Sequence, residues 1–198
     1  MTGNATVSVV IPCFNSAATI ERALRSVEHQ TSKPNEVLVV DDASSDKTVS
    51  VIEQYARTSS INIRVIKQSV NGGPSVARNA AWNVATGEFI AFLDADDQWH
   101  PQKLEVQLNA MLSNPTCVMS FHDHLFGSSE QFETLPFTPV TSQATLRNYL
   151  LRNRSATPTV MLRTALTERF SSTKRYAEDY LLWMTIIASH GSALHIHA

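Results

Sequence analysis

The stretch Phe89-Ile90-Ala91-Phe92-Leu93-Asp94-Ala95-Asp96-Asp97 sets five apolar residues directly before a group of three carboxylates. An apolar run of this length without alternation is typical of a strand buried on both faces, as in a parallel sheet. Acids crowded in this way repel one another unless a cation relieves the repulsion. Mg²⁺ and Mn²⁺ take oxygen ligands and commonly bind through one or two carboxylates together with substrate phosphates. The stretch predicts a divalent metal site at a strand end, with a solvated Asx turn as the alternative.

On the N-terminal side of this stretch, short apolar runs alternate with helical patterns. Helices are predicted where apolar residues recur at helical spacing, as in Ile20, Ala23, Leu24 and Val27, and where Gly73-Pro74 puts a proline at a first helical position. Gly87 is expected to end the latter helix. Strands alternating with helices predict an α/β fold whose mostly parallel central sheet is flanked by helices. The predicted strands of this region are 7–12, 36–40, 63–66 and 89–93.

Beyond Asp97 the pattern is looser. Helices are expected at about 101–112, 145–151 and 179–189, and strands at about 118–121 and 159–162. The Ser-, Pro- and Thr-rich segment 127–142 is interpreted as a loop over the site. We find no internal repeat and no separating linker, so residues 1–198 are expected to form one domain.

Composition narrows the possible classes of protein. Of the 198 residues 43% are hydrophobic and 17% charged, which argues against extensive disorder. A net charge of −2 gives no bulk electrostatic reason to bind nucleic acid. Cys13 and Cys117 lie in apolar runs and are interpreted as core residues. No segment approaches the roughly 20 apolar residues of a membrane span, and a cytoplasmic location is expected.

Three further groups of polar residues carry candidate chemistry. Asp41-Asp42 follows a buried strand and could bind a base or ribose, or serve only as a turn. Gly72-Gly73 before the helix with Arg78 could bring amides and a guanidinium to an anion, or be a plain helix start. Glu178-Asp179 could supply a general base, or only charges at a helix N-terminus.

Other candidate motifs are weaker. The chain has no G-x-G-x-x-G after its first strand and no P-loop, which argues against dehydrogenases and P-loop kinases. The pairs His122-x-His124 and His195-x-His197 have a spacing that would put both rings on one face of a strand. Neither pair brings the further ligands of a closed zinc site, so both are set aside.

Read together, five ordered segments resemble glycosyltransferase family 2, the inverting nucleotide-sugar transferases with the GT-A fold. The resemblance covers about residues 7–183. It implies that a donor-binding half at about 1–100 precedes an acceptor-side half at about 101–198. The segments are Val9-Val10-Ile11-Pro12-Cys13-Phe14-Asn15, Val39-Val40-Asp41-Asp42-Ala43-Ser44-Ser45-Asp46, Asn71-Gly72-Gly73-Pro74-Ser75-Val76-Ala77-Arg78-Asn79, Phe92-Leu93-Asp94-Ala95-Asp96-Asp97, and Glu178-Asp179 before Leu182-Trp183.

The resemblance also implies roles for individual residues. Asp96 would be the direct ligand of Mn²⁺ or Mg²⁺, with Asp94 in contact with ribose or the metal. Asp179 matches the catalytic carboxylate that acts as a base and takes the proton of the acceptor hydroxyl. Asp42 would accept from the base. The nucleotide-sugar site as a whole would comprise Pro12, Phe14, Asn15, Asp42, Gly73, Arg78, Asp94, Ala95 and Asp96.

The function expected from the resemblance is metal-dependent, inverting transfer from a nucleotide-sugar, UDP-sugar favoured, to a hydroxyl acceptor. The acceptor would be a saccharide, a lipid-linked saccharide or another hydroxyl compound, in bacterial surface polysaccharide synthesis. A lipid-linked acceptor implies peripheral membrane association. The sequence departs from the family pattern in two ways. There is no Q-x-x-R-W, which disfavours a processive synthase, and relatives usually continue beyond the Asp179 helix. The alternatives are a sugar nucleotidyltransferase and a nucleotide-sugar-binding protein without transfer activity.

Overall fold

The computed structural model describes residues 5–124, 139–151, 155–173 and 177–197, which form six helices and eight strands. The helices are α1 (Ile20–Glu28), α2 (Thr48–Ala56), α3 (Pro74–Trp82), α4 (Lys103–Ser113), α5 (Leu146–Leu151) and α6 (Glu178–His190). The strands are β1 (Val7–Cys13), β2 (Glu36–Asp41), β3 (Ile63–Lys67), β4 (Phe89–Phe92), β5 (Met119–His122), β6 (Val140–Thr145), β7 (Met161–Arg163) and β8 (Ser192–His197).

All eight strands join one sheet in the order β3-β2-β1-β4-β7-β5-β8-β6. The first four neighbours run parallel, with Val10 of β1 paired to Leu38 of β2 and to Phe92 of β4. Every residue of β1, β2 and β4 is buried, as expected for strands covered on both faces. The carboxyl ends of these parallel strands therefore meet at one edge of the sheet.

Helices cover both faces of the sheet and divide the core into two layers. On one face, α1, α2 and α4 pack against side chains such as Val9 and Ile11. On the other face, α3, α5 and α6 pack against Val10, Leu38 and their neighbours. Cys13 and Cys117 are buried and form no disulfide, in agreement with the prediction that both are core residues. The predicted α/β architecture is confirmed.

The second half of the sheet is mixed rather than parallel. Strand β7 lies antiparallel between β4 and β5, while β8 runs parallel to β5 and antiparallel to β6. The expectation of a mostly parallel sheet thus holds without exception only for β3, β2, β1 and β4. Within the described residues, no helix is long and apolar enough to cross a membrane.

Several local expectations need correction. Of the predicted loop 127–142, residues 127–138 lie outside the described residues, and the segment from Val140 onward forms the edge strand β6. Strand β8 was not predicted. Helix α3 begins at Pro74 as predicted, but it ends at Trp82, so Gly87 does not cap it. Gly87 instead precedes β4, where a Cβ atom would lie 2.6 Å from the backbone nitrogen of Ser8.

Candidate active site

The polar residues predicted from the sequence converge where β1, β2 and β4 end. The Asp42 amide donates to the Cys13 carbonyl at 2.9 Å, and the Leu93 amide donates to the Val10 carbonyl at 2.9 Å. These bonds extend the parallel ladders just past the strands. They bring the segments that follow, beginning at Phe14, Asp42 and Asp94, to the same edge.

The three carboxylates after β4 lie in a tight turn. The Asp97 amide donates to the Asp94 carbonyl at 3.1 Å, Ala95 points into the core, and Asp96 is exposed. The Asp96 carbonyl accepts from the guanidinium of Arg22, which leaves the Asp96 carboxylate outside this contact. The turn thus presents carboxylate oxygens to solvent at the end of a rigid strand.

Electrostatics show how crowded this turn is. Loss of solvent raises the pKa of the Asp97 carboxyl, and repulsion from Asp94 and Asp96 raises it further, while Arg22 and His124 oppose the shift. Carboxylates that destabilise each other's charge in this way suit a hard divalent cation. Asp94 and Asp96 are therefore chemically fit to hold Mg²⁺ or Mn²⁺.

Arg78 connects this turn to α3 and α6. Its Nη2 donates to Asp94 Oδ1 at 2.6 Å, and its Nη1 lies 3.9 Å from Glu178 Oε1. The guanidinium carbon also lies 5.3 Å from the centre of the Phe170 ring. The sequence placed Arg78 near an anion, and the structure supplies two protein carboxylates as partners. Phe170 was missed because no local pattern marks it.

Asp42 has partners that the sequence did not indicate. Its Oδ1 accepts from the Gly72 amide at 2.8 Å and its Oδ2 from the Gly73 amide at 2.7 Å. The anion that these two amides meet in the structure is thus the buried carboxylate of Asp42. Contact of Asp42 and Gly73 with a donor stays a prediction, whereas their contact with each other ties the segment before α3 to the end of β2.

The loop after β1 is joined to the turn after β2. The Asn15 amide donates to Ser44 Oγ at 2.9 Å, and the Ser45 amide donates to Asn15 Oδ1 at 2.9 Å. Asn15 and Ala43 both have left-handed backbones, with φ of 49° and 62°. Phe14 stands half exposed beside them, at 50%, whereas Pro12 is buried within β1. Hydrogen bonds thus fix this loop to the turn after β2, and the loop presents an aromatic ring at the sheet edge.

Asp179 occupies the first turn of α6. Thr157 Oγ1 donates to Asp179 Oδ2 at 3.0 Å, and the Tyr180 amide donates to Asp179 Oδ1 at 2.7 Å, so both oxygens are oriented. The residue before α6, Ala177, has a left-handed backbone with φ of 55°. Strained non-glycine backbone of this kind is concentrated at functional sites. Thr157 was missed because it lies in a short 3₁₀ turn far away in sequence.

Aromatic packing sets the position of α6 against β4. The Trp183 ring lies 6.2 Å from the Phe92 ring and 5.4 Å from the Phe170 ring, measured between centres. Because Phe92 immediately precedes Leu93 and Asp94, this packing places α6 beside the strand that carries the carboxylates. Glu178 and Asp179 are thereby brought to the same edge as Asp94.

The sequence of this chain is similar to those of known proteins. Residues 8–170 match the family model described as Glycosyl transferase family 2. The UDP-Glc:alpha-D-GlcNAc-diphosphoundecaprenol beta-1,3-glucosyltransferase WfgD of Escherichia coli is 35% identical over 182 residues, covering 91% of this chain and 69% of that protein. The putative teichuronic acid biosynthesis glycosyltransferase TuaG of Bacillus subtilis is 40% identical over 115 residues, covering 58% and 45%.

The fold is also similar to those of solved structures. S. aureus TarS 1-349 in complex with UDP superposes with a TM-score of 0.80 at 26% identity, covering 98% of this chain and 60% of that one. Its complex with UDP-GlcNAc gives 0.80 at 27% identity, covering 98% and 58%. The mannosyltransferase PcManGT from Pyrobaculum calidifontis, with GDP-Man and Mn²⁺, gives 0.76 at 22% identity, covering 100% and 57%. These likenesses confirm the expected GT-A fold, and the chain spans less than two thirds of each solved chain.

Proposed function

The chain belongs to glycosyl transferase family 2 and is a glycosyltransferase, and from that premise we propose that it moves a sugar from a UDP-sugar to a hydroxyl acceptor. The observation that carries this proposal is the convergence of the turn after β4, α3 and α6 on Arg78. That convergence sets Asp94 and the first turn of α6, with Asp179, at one edge of the sheet.

A UDP-sugar is the donor that the relatives favour. WfgD is named for UDP-Glc, and TarS has been solved with UDP and with UDP-GlcNAc. In this chain the donor would lie against the ends of β1, β2 and β4. Pro12, Phe14, Asn15, Asp42, Gly73, Arg78, Asp94, Ala95 and Asp96 remain the residues proposed to surround it.

Asp96 and Asp94 would hold the divalent cation. Bound there, Mn²⁺ or Mg²⁺ would neutralise charge on the diphosphate leaving group. Asp94 already shares its charge with Arg78 at 2.6 Å, whereas Asp96 is exposed, so Asp96 is the stronger candidate for the direct ligand. Arg78 keeps a fixed positive charge beside Asp94.

Asp179 would act as the general base. Its carboxylate is oriented by Thr157 and by the Tyr180 amide, which is what a base needs to meet an acceptor hydroxyl in one geometry. A single base suffices for direct displacement at the anomeric carbon, which inverts its configuration. Inversion is proposed on that ground and on the family resemblance.

The proposal for the acceptor is based on two relatives. WfgD is named for a diphosphoundecaprenol-linked GlcNAc acceptor and TuaG for teichuronic acid biosynthesis. By analogy we propose a lipid-linked saccharide acceptor in bacterial surface polysaccharide synthesis. Transfer would then occur at the cytoplasmic face of the membrane, where a peripherally associated enzyme meets both substrates.

The test combines donor binding with transfer. UDP-Glc, UDP-GlcNAc, GDP-Man and dTDP-Glc are screened by thermal shift with and without Mn²⁺, since ligands that bind only the folded state raise its stability. Transfer to a GlcNAc-diphospho-lipid acceptor is followed by UDP release. We expect a UDP-sugar to give the largest Mn²⁺-dependent shift, and Asp96→Asn to abolish its metal-dependent part.

Asp179→Asn separates catalysis from binding. We expect it to keep the UDP-sugar shift and to lose transfer by about 100-fold or more. Glu105→Gln is the matched control, because Glu105 also stands in a first helical turn but on α4. Donor binding without transfer by the unaltered chain, or full transfer by Asp179→Asn, would overturn the proposed reaction.

A further inference from the structure

A second group of potential metal ligands lies at the ends of β5 and β8. The Nε2 atom of His195 is 2.8 Å from Asp123 Oδ1, and Nδ1 of His197 is 3.6 Å from Asp123 Oδ2. One ligand atom from each of the three residues lies within 4.8 Å of the others. His195 is buried, His197 is partly buried and Asp123 is exposed, so the group opens to solvent on one side.

The sheet brings these residues together. His195 and His197 are two apart on β8, and the ring centres lie 3.9 Å from each other. Strand β8 runs parallel to β5 with His195 opposite Phe121, whose ring stacks on the imidazole at 4.6 Å. The Asp123 amide donates to the Ile196 carbonyl at 3.3 Å, which sets the carboxylate between the two histidines. A further ligand, which the histidine pair lacks in its own segment, is thus supplied by Asp123, the residue that follows β5.

A hydrogen bond from outside the group favours the ligating form of His197. Its Nε2 lies 2.8 Å from the hydroxyl oxygen of Ser142 on β6. When Nε2 carries the proton and donates it to Ser142, Nδ1 is left with a lone pair directed at the Asp123 side. Metal-binding histidines usually have such a partner on the second ring nitrogen, because it selects the tautomer and orients the ring.

We propose that Asp123, His195 and His197 form a Zn²⁺ site. Two imidazoles and one carboxylate are a donor set that zinc accepts, and a hard ion such as Mg²⁺ prefers oxygen ligands. Zinc binds nitrogen and oxygen at about 2.0–2.2 Å with tetrahedral angles, which places ligand atoms roughly 3.3 Å apart. The distances of 2.8 and 3.6 Å lie on either side of that value.

Both histidines, though not Asp123, border a cavity of about 180 Å³ that is also lined by Ser142, Asn148 and Tyr149. Sites with three protein ligands keep an open position for water or a small anion. The polar side chains around the cavity can hydrogen-bond to such a ligand, so the fourth position is assigned to water or a small anion.

The zinc site is separate from the proposed donor site. Strands β7 and β5 lie between β4 and β8 in the sheet, and the two sites share no residue. Zinc would join the end of β5 to β8.

The experiment is a zinc titration of the metal-free chain, with a chromophoric indicator as competitor and Mg²⁺ in excess to occupy the carboxylate site. We expect one Zn²⁺ per chain. Asp123→Asn and His197→Ala should each weaken binding by more than about 100-fold, and Ser142→Ala by about 10-fold. His29→Ala, at an exposed histidine after α1, should leave the affinity unchanged.

The metal-free variants are compared by circular dichroism, so that a folded variant without zinc affinity is recognised as such. Asp123 and His197 have side chains 44% and 39% exposed, and their replacement should leave the fold intact. Failure of the unaltered chain to take up zinc would overturn the proposal. So would zinc binding that survives both ligand substitutions, or that is lost in Asp96→Asn instead.

Discussion

The Nη2 atom of Arg78 lies 2.6 Å from Oδ1 of Asp94, and this contact joins α3 to the turn that follows β4. The Arg78 side chain is only 7% exposed, and its other partner, Glu178, begins α6. One guanidinium therefore holds together three elements that meet at the candidate active site. A lysine at this position would keep the charge but lose the forked donor geometry.

Arg78→Lys should accordingly lower the free energy of unfolding by about 2 kcal/mol, because at least one partly buried carboxylate loses its charged donor. Urea denaturation measures the change. Arg25→Lys is the control, since the Arg25–Glu21 pair is 61% and 53% exposed and should cost less than about 0.5 kcal/mol. Equal losses in the two variants would show that Arg78 does not tie these elements together.

Asp42→Asn should destabilise the fold by about 2 kcal/mol and weaken UDP-sugar binding, because one of the two accepting oxygens becomes an NH2 group, which cannot accept from the glycine amide that it faces. Denaturation and calorimetry report the two effects. Asp41→Asn is the neighbouring control: Asp41 accepts one backbone amide, from Ser44 at 3.2 Å, and its remaining oxygen can still do so. If donor binding were unaffected by Asp42→Asn, the segment before α3 would have no part in it.

Gly87→Ala should cost about 1–3 kcal/mol through overpacking, since the new methyl group would meet Ser8 backbone at 2.6 Å. Gly73→Ala has space around it but stands at φ 85° and ψ 169°, a region almost confined to glycine, so its cost of about 1–3 kcal/mol would come from backbone strain. Thermal unfolding measures the loss of stability in each variant. A Gly87→Ala variant as stable as the unaltered chain would mean that β1 and β4 are not as close as described.

The fold should lose stability in acid because Glu28 becomes protonated. A hydrogen bond from Tyr55, followed by bonds from Ser60 and Ser59, lowers the pKa of Glu28 from 4.5 to about 2. Because the folded pKa is depressed, the stabilisation is complete above the unfolded pKa and is lost as the pH falls from about 4.5 toward 2. Glu28→Gln should make the urea midpoint of unfolding depend less on pH over this range. Glu21→Gln, at an exposed position, should leave the pH dependence of the midpoint as it is in the unaltered chain.

The first half of the fold was predictable because its signals are local. Apolar runs fully buried on both faces and a helix with period 3.6 identify β1, β2, β4 and α1 without knowledge of their partners. Strands β6 and β8 are different. Most of β6 is exposed, and both strands form by pairing with distant segments, which no local pattern reports.

The same distinction between local signals and distant partners applies to the candidate site. Asp94 and Asp42 were identified because they follow buried strands, and Arg78 because it lies in the helix that follows Gly72-Gly73. Their partners could not be identified, because the bonds from Gly72 and Gly73 to Asp42, and from Thr157 to Asp179, join segments that only the folded chain brings together. The zinc ligands show this most clearly, since Asp123 lies more than 70 residues from His195.

The position of β7 has a consequence for the order in which the chain assembles. Strands β1 to β4 are complete by residue 92, but β4 receives its second neighbour only from residues 161–163. Until that segment has been synthesised, an apolar strand ends the growing sheet with unpaired backbone groups, the kind of edge that recruits foreign strands. Truncations that stop before residue 161 should therefore aggregate, and any minimal fragment has to extend past β7.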